Sequence, residues 1–242
     1  MKRWWIVLGI VAMIVIFVVT IPARAYSMIL ENYGTHLLAT KGTIWYGSGN
    51  LTVAGKNIGR LKWRFRPLEI FTGKLAFNVT MQNQSIHLAG VLKRRIASTE
   101  FQGTTTLAHS HVNKVLLPYE ILVEGEFEIS DLSVKINDKR QLEVLSGSIS
   151  WDGGTSRYRA DDETRIFEMP AVAGELTHAD GFAVLNARDQ EKNIPLLTAR
   201  FQPDSGLFET ALTQYMLDLS QMPLGSSTDL STVVLEVSRE LY

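Results

Sequence analysis

A chain of 242 residues with a formal net charge of −1 and no cysteine is long enough for one sizeable β domain or two small ones, and it excludes disulfides, thiolate nucleophiles, zinc–thiolate sites and iron–sulfur clusters. Lys2, Arg3 and Arg24 are the basic residues that precede Tyr26, so the remainder carries 21 basic and 25 acidic groups, which argues against nucleic acid as a partner. With 45% hydrophobic and 20% charged residues, that remainder has a globular composition.

Trp4 to Ile21 is an uncharged run dense in Ile and Val. At about 1.5 Å per residue it reaches roughly 27 Å, close to the thickness of a bilayer's hydrocarbon core. Lys2 and Arg3 before it keep the N-terminus in the cytoplasm and export the rest of the chain, and Trp4 and Trp5 fit an interfacial anchor. Ala23-Arg24-Ala25 also matches a signal-peptide cleavage site, but the run exceeds the about 7–15 apolar residues of such peptides, so an uncleaved anchor is favoured. The helix is expected to continue through Tyr26 to Glu31 and stop near Gly34. The expected organisation is therefore an anchor with a juxtamembrane helix over residues 1–33 and a periplasmic β-rich domain over residues 34–242.

From residue 40 onward short alternating segments are separated by Gly, Asn and Asp, the pattern of an antiparallel sheet and not of βαβ units. Gly42 and Gly47 bracket Trp45, which reads as a hairpin whose aromatic packs into the sheet's core, with partner docking as the alternative. In the strand Arg60 to Arg66, Leu61, Trp63 and Phe65 share one face and Arg60, Lys62, Arg64 and Arg66 the other, with Pro67 closing the strand. This basic face, continued by Lys93-Arg94-Arg95, is a solvated surface or a candidate contact for anionic headgroups or an acidic protein. Its aromatics point away from its charges, so they cannot stack bases beside them. Further strands are expected in Leu75 to Met81, Ser85 to Ala89, Ile121 to Ile129, Leu132 to Ile136 and Thr232 to Val237.

Gly103, Gly125 and Gly147 stand 22 residues apart and suggest a repeated hairpin, with chance spacing as the alternative. Leu207, Phe208, Ala211, Leu212, Tyr215, Met216 and Leu219 fall at helical spacing behind Asp204 or Ser205, predicting a short C-terminal helix, although a strand can claim part of it. His109 and His111 would point the same way on a strand, but no third ligand stands at a recognisable spacing, and Asp161-Asp-Glu163 reads as a solvated loop. The chain lacks a G-x-S-x-G elbow, a Walker A loop and a G-x-G-x-x-G turn, so no cofactor and no enzymatic activity are expected.

Pro22-Ala23 after the apolar run, Gly42-Thr-Ile-Trp-Tyr-Gly47 opening a strand pair, Leu61-x-Trp63-x-x-x-Pro67 and then Gly73-x-Leu75 resemble the pattern of type II secretion system protein N. The resemblance implies an inner-membrane accessory component of the machine that moves folded exoproteins from the periplasm across the outer membrane of Gram-negative bacteria. Its partners would be other components of that system and the inner membrane. The implied fold is mainly β, a long curved antiparallel sheet in the periplasm with one N-terminal transmembrane helix. The family offers no catalytic or ligand site to carry over. Its similarity to AsmA-like envelope proteins leaves an alternative in which Phe77, Val79, Leu88 and Phe127 line a groove for lipid.

Overall fold

The computed structural model describes residues 4, 13, 16–31, 34–53, 55–117, 120–139, 141–160, 163–222, 227 and 229–240. Besides the helical residues 16–20, they include the short α-helices α1 (Arg24–Leu30), α2 (His109–Leu116) and α3 (Gln214–Leu219) and a 3-10 helix, Pro67–Thr72. The strands are β1 (Thr35–Gly42), β2 (Tyr46–Val53), β3 (Lys56–Phe65), β4 (Leu75–Gln82), β5 (Ile86–Arg94), β6 (Ser98–Ala108), β7 (Ile121–Val123) and β8 (Glu126–Asn137). They continue with β9 (Leu142–Trp151), β10 (Gly154–Ala160), β11 (Glu163–Met169), β12 (Val172–Ala179), β13 (Phe182–Asp189), β14 (Pro195–Gln202), β15 (Leu207–Thr213) and β16 (Val233–Glu240). The fold is mainly β, as its alternating sequence requires. The large sheet has 13 antiparallel strands in the order β1-β2-β3-β4-β5-β6-β8-β9-β12-β13-β14-β15-β16, and β11-β10-β7 form a second sheet. Residues 1–84 and 85–242 are two compact units.

In the first unit β1 to β4 follow one another as hairpins. Leu37, Trp63 and Ala23 are its buried apolar centre, with Tyr26, Leu30, Leu51, Leu61, Phe77 and Val79 packed around them. α1 thus lies against the apolar face of the strands, and the charges of β3 are left on the exposed face.

In the second unit Trp151, Val172, Ala187, Leu196 and Tyr215 are the buried centre. Phe127 stacks on Trp151 with ring centroids 5.2 Å apart, and the Trp151 indole N–H donates to the Glu124 carbonyl at 2.7 Å. Thr213 ends β15 and caps α3: its Oγ1 accepts from the Met216 N–H and donates to the carbonyls of Pro195 and Leu196.

Several sequence expectations are revised. The expected continuous helix from the apolar run to Glu31 is broken at Pro22, which bridges to Thr43 in a β contact before α1 begins. Proline disfavours the helical conformation of Ile21 and cannot donate to the previous turn. Most of Trp4 to Ile21 lies outside the described residues, and among those described no helix is long and apolar enough to cross a membrane. Ile121 to Ile129 is two strands, because Gly125 turns the chain at φ 87°. Leu207 to Leu219 is strand and then helix. His109 and His111 lie on α2, where residues two apart diverge instead of sharing a face. The evenly spaced glycines are not equivalent: Gly103 and Gly147 are inside strands and Gly125 is in a turn. Asp161 and Asp162 lie outside the described residues.

Candidate functional site

Of the residues singled out in the sequence, Gly42, Trp45, Gly47, Trp63, Pro67 and Gly73 lie toward one end of the first unit's sheet, Arg60 and Leu61 lie further along β3, and Leu88 and Phe127 belong to the second unit. Gly42 ends β1 at φ 92° and Gly47 lies opposite it, so Thr43, Ile44 and Trp45 form a tight connection closed by the Thr43 N–H donating to the Tyr46 carbonyl at 2.8 Å. A Cβ on Gly47 would stand 2.6 Å from the Trp63 ring and 2.4 Å from the Lys41 carbonyl. The glycine is what lets the indole of Trp63, 6% exposed, lie against the hairpin backbone and donate to the Thr43 carbonyl at 3.1 Å. Leu61 packs in the same cluster.

This connection receives the segment that precedes α1. The Ala23 N–H donates to the Gly42 carbonyl and the Ile44 N–H to the Ile21 carbonyl, each at 3.1 Å. The Trp45 indole N–H donates to the Val18 carbonyl at 2.9 Å, and the Tyr26 hydroxyl to the Ile44 carbonyl at 2.9 Å. Tyr26 also meets Trp63 edge to face at 5.7 Å, and its burial raises the pKa of its hydroxyl. Trp45 is therefore a half-buried clasp, its ring 4.8 Å from that of Phe65, and the core aromatic expected at this hairpin is Trp63 instead.

Pro67 and Gly73 bound the neighbouring connection, from β3 to β4. Pro67 starts the 3-10 helix, where its fixed φ is accommodated, and Gly73 ends it in the left-handed region at φ 71°, its N–H donating to the Ile70 carbonyl at 2.9 Å. Between them Leu68, Ile70 and Phe71 are 78%, 49% and 87% exposed. Sequence reasoning passed over these three. The signal was present, since three large apolar residues in a six-residue stretch bounded by Pro and Gly have no periodicity that would bury them.

Of the basic strand face, Arg60, Lys62 and Arg64 lie on β3, Arg66 lies beyond its end, and Lys93, Arg94 and Arg95 belong to the second unit. Arg60, Lys62 and Arg64 are exposed, while Trp63 between them is buried. Their cross-strand neighbours on β2 and β4 are Asn50 and Gln82, Ser48 and Thr80, and Tyr46 and Asn78, so no carboxylate stands beside them in the sheet. Lys41, Lys62, Arg64, Ser48, Asn78 and Thr80 line an open depression of about 570 Å³. Gly42, Gly47, Tyr46 and Trp63 complete its lining, and three cations with no carboxylate among these residues suit an anion. Arg66 differs, because it pairs with Glu69 at 3.4 Å.

In the second unit the most constrained polar group is Asp189, 1% exposed. Its carboxylate accepts from the Tyr215 hydroxyl at 2.7 Å and from the backbone N–H groups of Glu191 and Lys192, each at 2.8 Å. The Lys192 N–H is the main reason its pKa lies below the usual carboxylate value; burial opposes this, and Tyr215 and Glu191 reinforce it. Lys192 Nζ in turn donates to the Tyr215 hydroxyl at 3.0 Å. With its oxygens committed to these donors, Asp189 fastens the turn between β13 and β14 to α3.

The family model for type II secretion system (T2SS), protein N, matches residues 35–216. No curated protein and no solved structure matches the chain. The match runs well past Gly73, through strands whose sequence carried no recognised word. The match takes in the hairpin of β1 and β2 and the strands beyond it as far as α3, and the chain is a member of the type II secretion system protein N family.

Proposed function

We propose that this chain is an inner-membrane accessory component of the type II secretion system, held by a single N-terminal helix with its amino end in the cytoplasm and its bulk in the periplasm. It acts without enzymatic chemistry, through contacts with other components of the system, in the export of folded exoproteins. Family membership supports the pathway. The observation that carries the contact reading is β16, which among the described strands pairs with β15 alone and leaves Val233 and Val237 about half exposed. An eight-residue edge of this kind invites strand addition by a partner. The lipid-groove alternative has less to stand on, because Phe77 and Val79 pack in the cluster with α1 and Phe127 stacks on Trp151.

The test is deletion of the gene in its host, with exoproteins measured in the medium and in the periplasm. Retention in the periplasm, reversed by the full-length chain but not by a chain carrying Val233→Lys and Val237→Lys, supports both the pathway and the edge. Unchanged secretion with altered outer-membrane permeability would overturn the reading in favour of the lipid groove.

A further inference from the structure

In the first unit the turn between β1 and β2 and the connection between β3 and β4 lie at one end of the sheet, because adjacent strands are antiparallel. They touch there: the Phe65 N–H donates to the Trp45 carbonyl at 2.6 Å, and the two rings are 4.8 Å apart. The end of the N-terminal apolar run is fastened to the same place, through the Val18 carbonyl on Trp45 and the Ile21 carbonyl on Ile44. Residues 16–20 are helical and exposed, with Phe17 72% and Ile16 63% accessible. Whatever medium surrounds that run therefore begins beside these two connections.

The second connection is built to meet it. The 3-10 helix Pro67–Thr72 buries none of its residues. Its backbone is nevertheless tied down: the Lys74 N–H and the Thr72 hydroxyl both donate to the Glu69 carbonyl, at 3.2 and 2.8 Å. A fixed turn thus displays Leu68, Ile70 and Phe71 to the outside, with Arg64, Arg66 and Lys74 close by in sequence and one carboxylate, Glu69, already engaged by Arg66. Exposed apolar side chains on a short element flanked in sequence by cations are the pattern of an element that lies in a bilayer interface, hydrocarbon inward and cations at the phosphates.

We propose that the 3-10 helix Pro67–Thr72 is a second membrane contact: Leu68, Ile70 and Phe71 enter the leaflet from which the N-terminal helix emerges, and Arg64 and Lys74 meet its anionic headgroups. This rests on the membrane-anchor reading of the N-terminal run. The contact fixes the first unit's sheet against the bilayer at two points, where an anchor alone would leave it free to swing.

The absence of native cysteine makes the test direct. The full-length chain is reconstituted into vesicles of phosphatidylethanolamine and phosphatidylglycerol, with a nitroxide on one introduced cysteine at a time: Phe71→Cys, Leu68→Cys, Met13→Cys within the apolar run, and Lys56→Cys at the other end of the same sheet. Collision rates with oxygen, which concentrates in hydrocarbon, and with a water-soluble nickel chelate place each label. The expected result is an oxygen-to-nickel ratio several-fold higher at 68 and 71 than at 56. A lipid-like label at 13 with a water-like label at 71 overturns the second contact and leaves the anchor standing. Water-like labels at both 13 and 71 overturn the anchor reading and the second contact together.

Discussion

Gly47 is a residue whose identity is set by its neighbours and not by its own backbone angles. Its missing side chain leaves the space into which Trp63 packs, and an added methyl would collide with both the indole and the Lys41 carbonyl. Gly47→Ala should therefore cost about 1–3 kcal/mol, the range for overpacking a tight contact. Gly55 is the natural control, since it has φ 76° but nothing within 4 Å of the added atom, so Gly55→Ala should cost only about 1 kcal/mol through its backbone. Thermal unfolding of the full chain followed by near-ultraviolet dichroism separates the two, and equal losses would show that the Trp63 contact is not what requires glycine. Asp189 gives a second residue-level prediction. Its folded pKa is lowered, so the stability it contributes is present above its unfolded pKa and is lost as pH falls through the folded value. Lys192 has the opposite sign: raised chiefly by its hydrogen bond with Tyr215, it contributes below its unfolded pKa and loses that contribution at high pH, as pH rises through the folded value. Asp189→Asn should lower stability at neutral pH by about 2 kcal/mol and flatten its decline on acidification. An acid decline parallel to that of the parent chain would remove Asp189 from this role.

At the scale of elements, the clasp between α1 and the first hairpin combines apolar packing with polar bonds, and substitutions can weigh them separately. Tyr26→Phe keeps the edge-to-face contact with Trp63 and deletes the bond to the Ile44 carbonyl, at a cost of about 1 kcal/mol. Trp63→Ala removes the packing itself, at about 3–5 kcal/mol. Proteolysis at Arg24, which is exposed in α1, should accelerate far more in the second variant; equal acceleration would mean that the hydroxyl bond, and not the ring, holds the helix. The sequence made some of these elements plain and hid others for physical reasons. The strand Lys56–Phe65 was legible because charge and aromaticity alternate in it, a pattern that only a two-sided strand satisfies. The hairpin at Trp45 was legible from its bracketing glycines, but its bonds to Val18 and Ile21 were not, since they join residues more than twenty positions apart and end on backbone carbonyls that carry no side-chain signature. Leu207 to Leu219 was legible in part: the expected short helix is present, but it begins only at Gln214 behind the Thr213 cap, and the strand alternative claims Leu207 to Thr213 as β15. The exposed 3-10 helix was missed because a search for periodicity looks for buried faces, and this element has none.

At the scale of the whole molecule, the charge is divided more sharply than the net value of −1 suggests. Residues 1–84 contain ten basic and two acidic residues, while residues 85–242 contain fourteen basic and twenty-three acidic ones. A near-neutral protein is thus a strongly cationic unit joined to an anionic one, and the exposed row Arg60, Lys62, Arg64 is where the cationic unit concentrates its charge. Exposed charges of this kind contribute little to folding, so reversing them should leave the fold intact while changing what the surface attracts. The chain with Arg60→Glu, Lys62→Glu and Arg64→Glu should accumulate to normal levels and resist protease like the parent, yet restore exoprotein secretion poorly when it replaces the parent in its host. Arg94→Glu with Arg95→Glu is the matched comparison, because those residues are also exposed and basic but belong to the anionic unit. If both variants restore secretion equally, the row is a solvated face and the contacts that matter lie elsewhere, at the β16 edge first. If the β3 variant alone fails while remaining folded, then the exposed basic face of β3 is a working surface, and the clasp of Trp45, Trp63 and Tyr26 serves to hold that face at a fixed place on the N-terminal segment.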